Sequence, residues 1–292
     1  MSITKYRSIF IGIALGLSFI SLALIGKYGI KPGIDFTGGT VIEIAINGED
    51  AVLKNKSEIE GRGVKVFATG DIDGEKSYRL ISTDNYDALK SELENYLTVG
   101  TSTYTVLGVS DVGPSLGGEM KQKAIIAIVV ASLAILLFIA FSFRKVSEPV
   151  ASWKYGIASL VTLLHDILIP TGAYALMSHY YGAEVDTLFI VALLTILGIS
   201  VSDKIVVFDR IRENLTLSHK KSFSEIVDIS LRQTFTRSVN TSLTVVLALL
   251  VLAVYGPAAT VFFSITLTIG MIVGTYSSIF VASTLLTFFT KK

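Results

Sequence analysis

Apolar residues follow two rhythms along this chain: long unbroken runs near its start and through its second half, and short alternating runs confined to one interval between them. The long runs cover Ser8 to Ile25, Ala124 to Phe143, Gly156 to Ser178, Thr187 to Phe208, Ser238 to Tyr255 and Val261 to Phe289. A helix crossing the hydrocarbon core of a bilayer needs about 20 mostly apolar residues, so six membrane spans are predicted. The last run is longer than a crossing requires and leaves room for tilt. The first follows Lys5 and Arg7, as a signal peptide would. No small-residue cleavage site closes it, so it reads as a retained anchor.

The interval between the first and second spans alternates as a soluble domain does. A strand-like run from Gly39 to Ile46 is followed by a helical stretch from Asp50 to Gly61 and a strand from Val64 to Thr69. After a turn at Gly70 to Gly74 come a strand from Ser77 to Ser82, a helix from Asp84 to Leu97 and a strand from Thr103 to Val109. The order β-α-β-β-α-β predicts a ferredoxin-like α+β domain, a fold that hosts many functions and specifies none. The expected fold class is therefore a polytopic α-helical membrane protein with a small extracytoplasmic α+β domain. Residues 1–26 carry the first span, 27–120 the soluble domain and 121–292 the other five spans.

Composition agrees: 51% of residues are apolar, 17% are charged, and the mean hydropathy is +0.63. That balance suits a bilayer better than water. A net charge of +1 gives no case for a nucleic-acid partner. With no cysteine and three histidines, thiolate metal sites, redox pairs and disulfides are excluded, and neither a metal nor a cofactor is expected.

The charges are sorted by position. Lys5 and Arg7, then Arg144, Lys145 and Lys154, then Arg210, Arg212, Lys220, Lys221 and Arg232, then Lys291 and Lys292 fall on alternate sides of the spans. Lysine and arginine in short loops stay on the cytoplasmic side, so both termini are expected there, with the α+β domain outside. The turn from Ser178 to Asp186 carries only acidic charge, and Tyr255 to Thr260 carries none, as outward turns should.

Ionisable residues inside the spans carry the most information, because a charge at helix centre costs about 2.5 to 3.5 kcal/mol on insertion scales and usually faces a bundle interior or a water-filled path. Asp166, beside His165, lies near the middle of the third span; Asp203 lies in the fourth and Arg237 at the start of the fifth. The fourth and fifth spans run antiparallel, so Asp203 and Arg237 enter from one face and an ion pair between them is one reading. In the other, Arg237 snorkels to the headgroups and Lys204 neutralises the region. A His165–Asp166 couple could carry protons or simply hydrogen-bond neighbouring helices. No serine or cysteine nucleophile accompanies it, which argues against an enzyme.

The glycines of Lys31 to Thr40 and of Val112 to Gly118 lack the lysine and hydroxyl of a phosphate loop and read as tight turns joining the domain to the first two spans. Between the fourth and fifth spans, Ser222-Phe-Ser-Glu225 forms a capping box. Phe223, Ile226, Val227, Leu231 and Phe235 then recur at helical spacing. This connector, near residues 218–235, predicts a short amphipathic helix along the cytoplasmic interface or a docking face for another subunit.

These segments resemble, in order, the SecF family of protein-export membrane proteins. The likeness rests on Gly33-Ile-Asp-Phe-Thr-Gly-Gly39 after the first span, Val112-Gly-Pro114 before the second, and Leu164-His-Asp-Ile-Leu168 in the third. Thr195 to Asp203, running on into Ile205 to Asn214, and Arg237 to Thr244 complete it. The resemblance implies a subunit that pairs with SecD in the cytoplasmic (inner) membrane and draws unfolded preproteins outward on the proton, or sodium, gradient without ATP. It also implies the SecYEG translocon, with YajC and YidC, as further partners beside the membrane lipids. By the same resemblance Asp203 is the ion-coupling aspartate and Arg237 works beside it. His165, Asp166, Ser202, Lys204, Asn240 and Thr241 are candidate supporting polar residues, and Gly33, Asp35, Phe36, Gly38 and Gly39 form the family's signature turn. Ile199, Ser202 and Lys204 stand where the family commonly has a tyrosine, an asparagine and a small or hydroxyl residue, which leaves the coupling ion open. A small-molecule or lipid exporter subunit and a non-transporting scaffold remain as other classes.

Overall fold

Each long apolar run forms a helix in the computed structural model, which describes residues 3–47, 51–72, 75–83, 86–97, 103–143, 150–217 and 221–289. Asp50, Asp73, Gly74 and Asp84 of the expected helices and turn, and the loop charges Arg144, Lys145, Lys220, Lys291 and Lys292, lie outside the described residues. The chain divides into two compact units. One is helical (Met1–Ile30, Ile126–His179 and Leu188–Lys292) and the other comprises Lys31–Ile125 with Tyr180–Thr187.

The second unit contains a one-turn helix α2 (Ile34–Thr37), then β1 (Gly39–Asn47), α3 (Ala51–Gly61), β2 (Lys65–Ile72), β3 (Glu75–Ser82), α4 (Tyr86–Leu97) and β4 (Thr103–Val112). The sheet order is β2-β3-β1-β4 with every pair antiparallel, the ferredoxin-like arrangement expected from the element order. Strand periodicity puts Ile42, Ile44 and Ile46 on one face. There they pack with Leu80 of the adjacent β3, with Val66 of β2 beyond it, and with Val52, Ile59 and Leu89 of the helices. Fully burying an aliphatic side chain stabilises by about 1.5–3 kcal/mol, so this cluster is the source of the unit's cohesion. On the opposite face Glu43 lies directly across from Arg79 and pairs with it at 2.6 Å, as cross-strand neighbours of opposite charge do.

The signature glycines are required by close approach. Gly38 and Gly39 have φ of 78° and 127°, and a Cβ on Gly39 would lie 2.4 Å from the Ser82 carbonyl oxygen, so no larger residue fits without moving β3. The second glycine-rich segment differs from expectation. Only its start is a turn: Pro114 opens α5 (Pro114–Ser142), and Gly117 and Gly118 are already helical. Proline suits the first helical position, where its missing N–H has no helical acceptor to lose.

In the helical unit α1 (Arg7–Tyr28) is followed by the remainder of α5, then α6 (Ser152–Tyr181), α7 (Thr187–Leu217), α8 (Phe223–Tyr255) and α9 (Val261–Tyr276). A π-helical segment at Ser277–Ala282 and the short α10 (Ser283–Leu286) extend the last run. Among the described residues six helical runs are long and apolar enough to cross a membrane, ending with Val261–Leu286. The protein is thus a multi-pass membrane protein. The third, fourth and sixth runs are 56%, 44% and 67% buried within the fold, against 11%, 6% and 11% for the first, second and fifth. The former make the interior, while α1, α5 and α8 present most of their apolar surface outward.

The expected connector is not a separate element. Its capping box is present, with Ser222 Oγ accepting from the Glu225 N–H and the Glu225 carboxylate accepting from the Ser222 N–H. The helix it starts then runs without a break to Tyr255, because no proline or glycine interrupts Phe223 to Val254. Its apolar stripe of Ile226, Val227 and Leu231 is buried, and Asn214 of α7 donates to Ser230 and Gln233 beside it. The periodicity records packing against helices of the same chain rather than a headgroup surface.

Candidate functional site: ionisable groups inside the helical unit

Two adjacent residues of α7 serve two different sites because a helix turns about 100° per residue. Ser200 and Lys204, four apart, share one face and meet α6. Asp203 is rotated away from them toward α8 and the last helical run.

On the α6 side, Lys204 and Asp166 are both fully buried and form an ion pair at 2.6 Å. Ser200 Oγ donates to the same carboxylate oxygen at 2.5 Å and accepts from Lys204 Nζ at 2.5 Å. The other Asp166 oxygen lies 3.0 Å from His165 Nδ1, and His165 Nε2 is buried with no hydrogen-bond partner. A buried carboxylate facing one lysine, one hydroxyl and one imidazole is a compensated charge, which is the condition for placing it in an apolar interior. Pro170 follows one turn later on α6, where its missing N–H frees the backbone carbonyl of Asp166.

On the other side, Asp203 Oδ1 accepts a hydrogen bond from Ser238 Oγ of α8 at 2.5 Å. Its Oδ2 is buried without a hydrogen-bond partner, and the Ser278 hydroxyl, close to this carboxylate, donates to the Gly274 carbonyl at 2.7 Å. A cavity of about 10 Å³ opens there, lined by Ser200, Asp203, Ser242, Gly274 and Thr275 among others, roughly the room of one water. Ser242 and Thr275 are hydrogen-bonded to each other. Gly270, Gly274 and Ser278, spaced by four, give α9 and the π-helical segment a small-residue stripe that lets helices approach closely. A Cβ on Gly270 would lie 2.2 Å from Ile196 Cδ1 of α7. The π-helical segment starts beside this carboxylate, a local geometry frequent at functional sites.

Of the two readings of Arg237, the ion pair with Asp203 is not formed. Arg237 is exposed on α8, and since Ser238 points at Asp203 the helix turns its neighbour away. Arg237 instead lines a cavity of about 400 Å³ with Asp209, Arg210, Glu213 and Gln233. Lys204 makes its ion pair with Asp166 rather than with Asp203. Ser202, Asn240 and Thr241 are exposed on α7 and α8 and are not brought to either cluster. The residues missed by sequence reading are Ser200, Ser238, Ser242 and Thr275. Hydroxyls at helical spacing within apolar runs were the available signal, but only for polarity and not for which helix they face.

The fold and these clusters define a polytopic membrane protein with a ferredoxin-like unit inserted after its first span and with ionisable groups sequestered among its helices. Residues 92–292 match the family of protein-export membrane proteins SecD/SecF in its C-terminal region, and residues 23–46 match the SecD/SecF GG motif. The chain belongs to the SecD/SecF family. It is 39% identical to a protein translocase subunit SecF of Thermobaculum terrenum, covering 100% of this chain and 95% of that protein. It is 32% identical to the subunit of the same name from Anaerolinea thermophila, over 97% and 92%. Among solved structures it resembles SecDF, a translocon-associated membrane protein from Thermus thermophilus, with a TM-score of 0.83 and 32% identity over 98% of this chain. SecDF in a super-membrane-facing form matches with a TM-score of 0.69 and 31% identity. The chain spans 38% of the length of each SecDF chain.

Proposed function

We propose that this chain is the smaller half of an ion-driven protein-export motor, drawing preproteins across the cytoplasmic membrane late in export, with a SecD-type partner and without ATP. The observation that carries the reading is Asp203 itself, which lines a water-sized cavity and has one buried carboxylate oxygen without a hydrogen-bond partner. An ionised oxygen held there without a donor is costly. A proton arriving satisfies it and changes the balance between two helix arrangements; its departure on the other side reverses the change. The Ser242 and Thr275 hydroxyls of the cavity lining are oxygen ligands of the kind sodium takes, so the coupling ion is a matter for measurement. One charge crossing about 100 mV supplies about 2.3 kcal/mol, so a long cargo needs several cycles.

The partner follows from the surface of α8. Arg237, Asn240, Thr241 and Thr244 are exposed and lie at helical spacing on one side of it. Polar residues on a span normally face protein or water, so a second bundle covering this stripe accounts for them. The SecDF chains that this chain resembles are longer, this chain matching 38% of their length, which leaves room for such a partner within them. SecYEG, with YajC and YidC, would be further partners, and unfolded preprotein the cargo.

The positive charges of the short loops support a topology with both termini in the cytoplasm, and the count of crossings then favours the α+β unit outside. The chain has no native cysteine, so single-cysteine labelling tests this cleanly. Ser57→Cys, on the exposed face of α3, is expected to react with an impermeant thiol reagent from the outside. Lys221→Cys should react only once the inner membrane is opened. The reverse pattern contradicts the topology. Purification in mild detergent is expected to recover the chain with SecD, and a stable monomer from native membranes would contradict the assembly.

A further inference from the structure

The signature loop at Gly33–Gly39 does more than turn the chain into β1. Asp35 Oδ2 accepts from both the N–H and the hydroxyl of Thr187, at 2.7 and 2.6 Å, and Thr187 is the first residue of α7. A first-turn N–H has no acceptor within its own helix, so Asp35 supplies one from a segment far away in sequence. The backbone repeats the connection. Gly33 N–H donates to the Val185 carbonyl, and Val185 N–H to the Lys31 carbonyl, both at 2.8 Å, with Pro32 and Val185 forming a parallel bridge. A Cβ on Gly33 would lie 2.9 Å from that Val185 oxygen.

The segment before Thr187 is also held by the edge strand of the sheet. Lys65 of β2 pairs with Glu184 at 2.6 Å. Phe67 sits so close to Gly182, whose φ is 69°, that a Cβ there would lie 1.9 Å from its ring. On its other flank the signature loop meets the first turn of α5: a Cβ on Gly38 would lie 2.7 Å from Pro114 Cα, and one on Gly117 would lie 2.8 Å from Gly38 N. One short loop thus holds the first turns of two spans and runs directly into an inner strand. α7 continues unbroken from Thr187 through Asp203 to Leu217.

We propose that the Gly33–Gly39 loop is the mechanical joint through which α7 moves the α+β unit, with Asp35 as its positioning residue. The inference rests on the ion-driven reading above. A helix transmits displacement along its length when both ends are held, and here the end away from the middle of the membrane is held by Asp35. No other residue of the signature contributes a side-chain hydrogen bond to α7 among the described residues.

The test uses the full chain with its SecD partner in membrane vesicles, carrying Ser57→Cys as a reporter. Three quantities are read: ion entry on imposing a gradient, completion of export, and the gradient-induced change in reactivity of the reporter cysteine. Asp35→Leu removes the acceptor. It is expected to leave ion entry unchanged while export and the cysteine response fall about five-fold or more, the scale set by losing a contact of cap strength. Asp35→Asn keeps a carbonyl oxygen with two acceptor sites and is expected to retain most of both. Equal loss of ion entry and export in Asp35→Leu overturns the joint, as does a normal cysteine response at normal abundance, or a wild-type reporter that ignores the gradient. A wild-type reporter that responds to the gradient although export does not depend on it would sink the motor reading and leave the joint standing.

Discussion

Asp203→Asn is expected to stop gradient-driven export while leaving the protein in the membrane at normal abundance and bound to SecD. Asparagine has nearly the same size, and its carbonyl oxygen can still accept the Ser238 hydroxyl bond made by Asp203. Its amide fills the place of the unpartnered oxygen with a group that cannot take up or release a proton. Packing is kept and titration is lost. Removing a positioned proton carrier typically lowers a rate by about 10²- to 10⁴-fold, and a loss of that order in the gradient-dependent component is the expected result. Arg237→Met should be milder. Arg237 makes no ion pair with Asp203 and lies on the exposed side of α8, so its loss would be felt first in assembly with the partner. Normal gradient-dependent export by Asp203→Asn would move the coupling role to Asp166 or leave a scaffold.

The second large effect is expected at the neighbouring residue and has the opposite character. Lys204→Met leaves the Asp166 carboxylate fully buried with only Ser200 and His165 to compensate it. Breaking a buried ion pair from one side costs about 3–5 kcal/mol, whereas replacing both members by neutral groups is often close to neutral. Lys204→Met should therefore lower membrane abundance and the melting temperature of the solubilised complex. The double variant Asp166→Asn with Lys204→Met should recover most of both. A single variant as stable as the wild type would mean that the pair does not hold α6 to α7. Adjacent residues of one helix would thus fail in distinguishable ways, Lys204 through folding and Asp203 through coupling.

Much of this architecture was legible from residue patterns. Six unbroken apolar runs gave six helices, the alternating interval gave the ferredoxin-like order, and Ser222 with Glu225 marked the start of α8. Asp203 stood out because a charge inside an apolar run demands a reason. Periodicity was less informative about neighbours. It reported that Ile226, Val227 and Leu231 share a buried face without saying that α7 rather than a headgroup layer covers it. It also could not settle whether Lys204 faces Asp203, its chain neighbour, or Asp166 on another helix. The difference between Arg237 and Ser238 at the carboxylate is a single 100° step around α8, set by how two helices pack. The segment from Ser178 to Asp186 read as an outward turn, and the docking of its Val185 on the signature loop depends on contacts between residues distant in sequence, which no local signal encodes.

The central claim is that a transmembrane ion gradient acting on this chain supplies the work of late export. Its most direct test is to arrest a preprotein part-way through the translocon in vesicles containing this chain and SecD, remove ATP, and impose a gradient. Forward movement of the arrested chain should resume, stop on adding an ionophore for the coupling ion, and be absent with Asp203→Asn. Movement that proceeds equally with and without the gradient, or equally in the Asp203→Asn vesicles, would contradict the account.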